Sequence, residues 1–114
     1  GTAIIVASRQ GQFAPTLEEF RQLPATGLTL PDGRAVSGVT IEALAARIDI
    51  GEATVVTIEG YAPGFGAKRF VRRPIEEIAS QTVVYETAGG HIALASAVLP
   101  EEEWLAAIVS IAFE

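Results

Sequence analysis

The stretch from Asp32 to Tyr61, DGRAVSGVTIEALAARIDIGEATVVTIEGY, is the unit around which we expect the rest of the chain to pack. It predicts a turn, a short amphipathic helix, a glycine stop, a buried strand and a second turn. The strand, Ala53–Ile58 (ATVVTI), contains no charged residue, which is typical of a central strand that is buried on both faces. We therefore expect Ala53–Ile58 to be the most buried strand, with Leu44 of the helix packed against it.

The helix of this unit has start and stop signals. Thr40 is a favourable N-cap residue because its hydroxyl can accept a hydrogen bond from the first helical turn. Gly51 is placed to end the helix in a left-handed conformation. The apolar face follows i, i+3, i+4, i+7 spacing and consists of Ile41, Leu44, Ala45 and Ile48.

The flanking segments predict short elements that pack against this unit. Thr16 and Glu19 have the spacing of a capping box, which starts a short helix that Pro24 ends. The turn signal Pro31-Asp32-Gly33 predicts a small hairpin, and Gly89-Gly90 predicts a tight two-residue turn between two strands. The other predicted segments are a strand at Thr2–Ser8, a loop at Tyr61–Gly66, a strand at Ala67–Val71, a helix that Pro74 starts, a helical turn at Glu101–Glu103 and a strand at Ile108–Phe113.

Together these signals predict an α+β fold. We expect a single compact domain over residues 1–114, with one mixed β-sheet of about six strands and three or four short helices. The helices are too short to be stable alone, so packing against the sheet must hold them.

The composition bounds the possible functions. Hydrophobic residues make up 49% of the chain and charged residues 19%, with a mean hydropathy of +0.36, which excludes a disordered chain. The net charge of −6 opposes binding to nucleic acid, and there is no cysteine for a thiolate ligand or a disulfide. No apolar run is long enough to cross a bilayer, so we expect no membrane insertion.

The chain begins at Gly1-Thr2, which indicates a trimmed start. Export to the periplasm after removal of a signal peptide therefore stays open.

Four of the eight basic residues lie within six positions, directly after the turn Gly64–Gly66. Backbone amides of such a turn, beside basic side chains, can bind an anion, although the spacing does not fit a GxxxxGK phosphate loop. The candidate residues for binding a small anionic ligand or an acidic protein partner are Gly64, Gly66, Lys68, Arg69, Arg72 and Arg73. Successive strand residues alternate between faces, so any anion site should use one pair, Lys68/Arg72 or Arg69/Arg73. The alternative is that the charges are solvated and prevent edge pairing of an exposed strand.

No catalytic constellation is evident in the sequence. His91 is the only histidine and follows a glycine turn, which favours a surface turn residue over a general base or a metal ligand. Glu59 ends the predicted central strand, where bonding to a loop amide is its simplest role. Four serines have no base near them in sequence: Ser37, Ser80, Ser96 and Ser110.

The order of several short motifs resembles the sulfite-oxidase-like molybdopterin-binding domain. Those motifs are Thr16–Pro24 (TLEEFRQLP), Gly38–Leu44 (GVTIEAL), Glu59-Gly60-Tyr61, Arg73–Ile78, the Gly89-Gly90 hairpin and Trp104–Phe113 (WLAAIVSIAF). The resemblance covers most of residues 16–113. It implies a sulfite-oxidase-like fold, which in active members carries molybdopterin and oxidoreductase activity.

The chain differs from active members of that family in ways that bear on its expected function. Active members hold molybdenum with a cysteine that this chain lacks, and the segment after the hairpin is shortened to Ala95–Pro100. We therefore expect a non-catalytic binding or interaction domain on a reduced scaffold, with no cofactor. One alternative is an oxidoreductase or cofactor carrier that binds molybdopterin without a cysteine ligand. A second is a β-grasp-like interaction module, which Leu28–Leu44 resembles.

Overall fold

Nine strands form two β-sheets, and the computed structural model describes all residues from Gly1 to Glu114. The larger sheet has five strands in the order β2-β1-β9-β5-β6. These strands are β1 (Ile5–Ala7), β2 (Gln12–Phe13), β5 (Val55–Tyr61), β6 (Lys68–Pro74) and β9 (Ala107–Phe113). β1 and β9 are parallel, whereas the other neighbours are antiparallel.

The smaller sheet has four antiparallel strands in the order β3-β4-β7-β8. They are β3 (Thr26–Thr29), β4 (Ala35–Thr40), β7 (Thr82–Glu86) and β8 (Ile92–Ser96). The helices are α1 (Leu17–Arg21), α2 (Ile41–Ala45) and α3 (Ile75–Ile78), and Glu101–Glu103 form one 3-10 turn. The predicted compact α+β domain with short helices is confirmed. The strands, however, are nine in two sheets rather than about six in one.

One hydrophobic core joins the two sheets and all three helices. Ile58 and Ile111 contribute from the larger sheet, Leu94 from the smaller sheet, and Leu44 from α2. All four side chains are fully buried, so each excludes water from the interface between sheets and helices. No helix in the chain is long and apolar enough to cross a membrane.

Strand β5 is buried on one face only. Val56 and Ile58 are fully buried, whereas the alternate residues Thr57 and Glu59 are half-buried. The predicted burial of Ala53–Ile58 on both faces is therefore wrong. A lack of charged residues does not distinguish a strand that is buried on both faces from one that is buried on a single face. Threonine, for example, fits a half-exposed strand position as well as a buried one.

The strand that is buried throughout is β8, so the prediction that Ala53–Ile58 is the most buried strand is also wrong. β8 lies between the main core and a second, smaller cluster. That cluster contains Leu28, Leu30, Val83 and Ala95.

The face of the larger sheet that points away from the core is uncovered over most of its area. We call this uncovered part the outer face. Its residues, which are all half-buried or exposed and are placed by the strand registers, are Ile5, Ala7, Gln12, Thr57, Glu59, Lys68, Phe70, Arg72, Ser110, Ala112 and Glu114. Beside the loop that joins β5 to β6, the same face continues to Tyr61 and to the buried Ala107.

The helix starts follow the sequence signals, but the end of α2 does not. The Thr16–Glu19 capping box is confirmed: the amide of Glu19 donates to the Thr16 hydroxyl over 3.1 Å, and the amide of Thr16 donates to the Glu19 carboxylate over 2.9 Å. Helix α2 ends at Ala45 and tightens into i to i+3 hydrogen bonds, so it does not reach Gly51 as predicted. Gly51 has a positive φ of 54°, but in the following turn, where its amide donates to Asp49.

The hairpin between β7 and β8 has a longer loop than predicted. Thr87 and His91 pair across the loop, since the amide of Thr87 donates to the His91 carbonyl over 2.8 Å. Three residues lie between them, and of these only Gly90 has a positive φ, at 80°. The predicted two-residue turn at Gly89-Gly90 is therefore wrong, because only one of the two glycines adopts the left-handed conformation that such a turn requires of both.

Candidate functional site

The four clustered basic residues lie on β6, which is an edge strand of the larger sheet. They alternate between its two faces, as the strand period requires. Lys68 and Arg72 lie on the outer face with Phe70 between them, and Arg69 and Arg73 lie on the opposite face.

Arg69 and Arg73 make contacts within the fold. Nη2 of Arg69 donates a 2.7 Å hydrogen bond to the backbone oxygen of Trp104. Nη2 of Arg73 forms an ion pair with Glu103. Both guanidinium groups therefore tie β6 to the 3-10 turn and the residue that follows it.

On the outer face, Arg72 also has internal partners. Its Nη1 lies 3.1 Å from the Thr57 hydroxyl and 3.3 Å from Oε2 of Glu114. Lys68 differs, because it forms no ion pair in the chain. Its Nζ lies 6.0 Å from the centre of the Tyr61 ring, at the limit of a cation-π contact.

Distance along the strand separates the two outer cations. Lys68 and Arg72 are four residues apart, which is roughly 13 Å along a β-strand. A small anion beside the Gly64–Gly66 turn would consequently meet Lys68 rather than Arg72. The predicted anion site stays a prediction, and the geometry favours Gly64, Gly66 and Lys68 as the part of it that is free to bind.

The loop between β5 and β6 contains an unusual backbone conformation. Gly64 has a φ of 89° and Phe65 has a φ of 53°, which makes Phe65 the only non-glycine residue with a positive φ. A bulky residue in this left-handed region costs on the order of 1–3 kcal/mol, so surrounding structure must hold it there. The amides of Gly64 and Gly66 have no acceptor within the protein.

Phe65 forms one wall of an open cleft of about 380 Å³, which we call the loop cleft. Its lining residues are Tyr61, Phe65, His91, Ala107, Ile108 and Val109. The ring centres of Phe65 and His91 are 4.9 Å apart, with the ring planes at 45°. Neither ring nitrogen of His91 has a hydrogen-bond partner in the protein, and the cleft volume is in the range that small ligands occupy.

Larger surface depressions lie elsewhere but have fewer aromatic rings in their lining. One of about 690 Å³ lies between α2 and α3, and another of about 480 Å³ lies beside Gly51. The first contains no aromatic ring and the second contains only that of Phe113. The loop cleft is thus the better candidate for a flat aromatic ligand.

Sequence reasoning did not identify three residues of this cleft: Tyr61, Phe65 and His91. His91 was assigned to a surface turn, and it is indeed exposed. What brings it to Phe65 is the placement of the β7–β8 loop beside the β5–β6 loop. The signal available in the sequence was a phenylalanine between two glycines in a loop, where an apolar ring has no core to fill.

Two kinds of reactive group are relevant to catalysis: possible metal ligands and the buried serine hydroxyl. No group of three His, Asp or Glu residues lies close enough together to hold a metal ion. The hydroxyl of Ser96 bonds to Thr82 over 2.8 Å and accepts from the amides of Val98 and Leu99. With no cysteine, the chain cannot supply a thiolate ligand to a metal.

The outer face combines exposed apolar side chains with balanced charge. Phe70 is 63% exposed and Ile5 is 39% exposed. Two carboxylates and two cations lie on the same face: Glu59, Glu114, Lys68 and Arg72. The remaining positions toward β1 are small or uncharged.

A scan against protein-family models and a search of curated proteins find no match to this chain. The case for a function therefore rests on the outer face, the loop cleft and the order of the sequence motifs.

Proposed function

We propose that the chain is a non-catalytic binding domain that docks a protein partner on its outer face. The supporting observation is Phe70, whose ring is 63% exposed at the middle of an edge strand on an uncovered sheet face. Aromatic side chains are enriched at the centres of protein interfaces, and exposed apolar surface on a sheet is a liability unless a partner covers it.

The rest of the outer face suits a flat partner surface. Ala7, Ser110 and Ala112 are small, so they leave a floor from which Ile5 and Phe70 project. The charges lie toward β6, where they can set the orientation of the partner and exclude wrong partners. Hydrophobic contact would thus supply affinity, and charge would supply specificity.

We propose further that the domain which carries this docking face is a reduced sulfite-oxidase-like domain. It is supported by the order of the motifs, of which TLEEFRQLP contains α1, GVTIEAL contains the start of α2, and WLAAIVSIAF contains β9. The lack of a cysteine thiolate supports binding over redox chemistry. No specific contact favours the molybdopterin carrier or the β-grasp-like module, so we treat both as alternatives that experiment must decide.

Site-specific photo-crosslinking in the native host tests the docking surface. A photoreactive amino acid is placed at Phe70 in one variant and at Val98 in the control variant. Val98 is a matched control because it is 52% exposed and lies outside the outer face. A discrete adduct at position 70, absent at position 98 and identified by mass spectrometry, supports the proposal. No adduct at 70, or the same adducts at both positions, overturns it.

Cofactor analysis of protein purified from its native host tests the non-catalytic part. Molybdenum is measured by elemental analysis, and pterin by fluorescence after oxidation and extraction. The proposal predicts neither in stoichiometric amount. Stoichiometric molybdenum or pterin would overturn it in favour of the carrier or oxidoreductase.

A further inference from the structure

We propose that the loop cleft binds small planar aromatic carboxylates. The inference goes beyond the proposed function, since it concerns a small molecule and a set of side chains that shares only Lys68 with the outer face. It rests on three observations: a strained aromatic residue, an unpaired histidine ring opposite it, and an unpaired cation beside the cleft.

The strained residue is Phe65. Its φ of 53° is unfavourable for an aromatic side chain, and a glycine at this position would remove the strain. The conformation directs no side chain into the core, because Phe65 remains 52% exposed. Strained backbone is concentrated at functional sites, so a strained residue with an exposed ring is a candidate for contact with a ligand.

The rings of Phe65 and His91 form an incomplete aromatic cluster. Their centres are 4.9 Å apart, and both rings contact the same open volume as Tyr61. Offset or tilted rings at this spacing bind a further flat ring well, because aromatic pairs favour centroid distances of about 4.5–7 Å. The floor, which includes the buried Ile108, is apolar and favours a ring over a sugar or a polyol.

The cationic and amide groups beside the cleft determine which substituent the ring of the ligand should carry. Lys68 has no carboxylate partner, and its ammonium lies 6.0 Å from the centre of Tyr61, a wall of the cleft. The unpaired amides of Gly64 and Gly66 lie in the same loop as Phe65. These donors favour an anion, and His91 adds an imidazole whose ring nitrogens have no protein partner. A carboxylate attached to a flat ring therefore matches the aromatic lining of the cleft and the donors beside it.

Ligand titration followed by amide NMR tests the proposal. The probe is 2-naphthoate, with 2-naphthalenemethanol as the neutral analogue and cyclohexanecarboxylate as the non-aromatic analogue. We expect 2-naphthoate to shift the amides of the two loops with a dissociation constant on the order of 1 mM, ordinary for a ligand of its size. Each analogue should bind at least about fivefold more weakly, since each lacks one of the two recognised features.

Three variants separate binding from folding. Phe65→Gly should weaken 2-naphthoate binding at least about tenfold while leaving the melting temperature unchanged or higher, because glycine removes the backbone strain. Lys68→Gln should raise the dissociation constant of 2-naphthoate to that of the neutral analogue. Phe70→Thr removes an exposed phenylalanine outside the cleft and should leave the dissociation constant unchanged.

The outcomes are decisive in both directions. Shifts confined to the two loops, lost in Phe65→Gly and retained in Phe70→Thr, support the site. No shift at 10 mM probe, shifts elsewhere on the chain, or equal binding of the acid and the alcohol each overturn it. None of these results depends on the docking partner, because Phe65 tests the cleft and Phe70 tests the outer face, so either proposal can fail without the other.

Discussion

Arg69 on strand β6 donates a hydrogen bond of 2.7 Å to the backbone oxygen of Trp104, which lies 35 residues further along the chain. This bond joins an edge strand to the segment that leads into β9, two strands away in the same sheet. The indole nitrogen of Trp104 in turn donates to the Leu99 carbonyl over 3.0 Å. A residue that looked like part of an anion site thus also holds the chain crossing between the sheets.

We predict that Arg69→Met lowers the free energy of unfolding by about 1–2 kcal/mol, because it removes a charge-assisted hydrogen bond from a partly buried carbonyl. Chemical denaturation measures the effect. The matched control is Lys68→Met, which makes the same change of charge one residue away, where no ion pair is lost. Equal losses in the two variants would show that charge, and not the bond to Trp104, accounts for the effect.

Leu44→Ala should lower the free energy of unfolding by about 2–5 kcal/mol, as is usual for buried leucines. Leu44 is completely buried in the main core, so truncation leaves a cavity among well-packed neighbours. Val98→Ala is the control and should change stability by less than about 0.5 kcal/mol because Val98 is a surface residue. A Leu44→Ala loss below about 1 kcal/mol in chemical denaturation would mean that α2 is not part of the core.

Gly60→Ala should lower the free energy of unfolding by about 1–3 kcal/mol through overpacking. Gly60 lies at a register shift between β5 and β9, where an added Cβ would overlap the Ala107 carbonyl and lie 3.0 Å from Cα of Ile108. Gly27→Ala on β3 is the control, since no atom lies within 4 Å of the added carbon. Thermal or chemical denaturation compares the pair, and a Gly60 variant as stable as the Gly27 variant would contradict the close approach.

The ion pair between Arg21 and Glu86 predicts a pH-dependent contribution to stability. Two hydrogen bonds, of 2.7 Å and 2.8 Å, join the guanidinium of α1 to the carboxylate of β7. The hydrogen bond from Arg21 holds the pKa of Glu86 below its ordinary value of 4.5. Because the folded state then binds fewer protons than the unfolded state, the contribution is present above the ordinary pKa and is lost as the pH falls through the folded-state value.

Glu86→Gln measures this contribution. The difference in free energy of unfolding between the native chain and Glu86→Gln should be present at neutral pH and should shrink as the pH falls below 4.5. Glu102→Gln is the control for the loss of one carboxylate, because Glu102 forms no ion pair. A Glu86→Gln difference that is constant over this range would contradict the assignment.

Local signals in the sequence predicted local structure well. The capping box at Thr16, the hairpin turn at Asp32-Gly33 and the strand that ends the chain are all present. Each is decided by neighbours within a few residues, through hydrogen bonds or left-handed glycines. The division into two sheets was not predicted, since it depends on which strands pair, and a period of two residues identifies a strand without naming its partner.

The candidate site was predictable only in part. The exposed Lys68 and the free turn amides followed from the sequence, because charge and glycine favour the surface. The internal contacts of Arg69 and Arg73 did not, since Trp104 and Glu103 are about 30 residues away and reach β6 only through the sheet order. The contact between Phe65 and His91 could not be predicted either, because it also depends on how segments far apart in the sequence are placed in the fold.

The uncovered outer face has a consequence for how the stability of this chain should be measured. A partner that binds only the folded state adds RT ln(1 + [L]/Kd) to the free energy of unfolding, which is about 2.7 kcal/mol at a hundredfold excess over Kd. The isolated chain would then melt below its melting temperature in the cell. If a partner docks on the outer face as proposed, substitutions at Ile5 or Phe70 that leave the purified protein unaffected would still lower its abundance, because they would weaken the binding that stabilises the folded state.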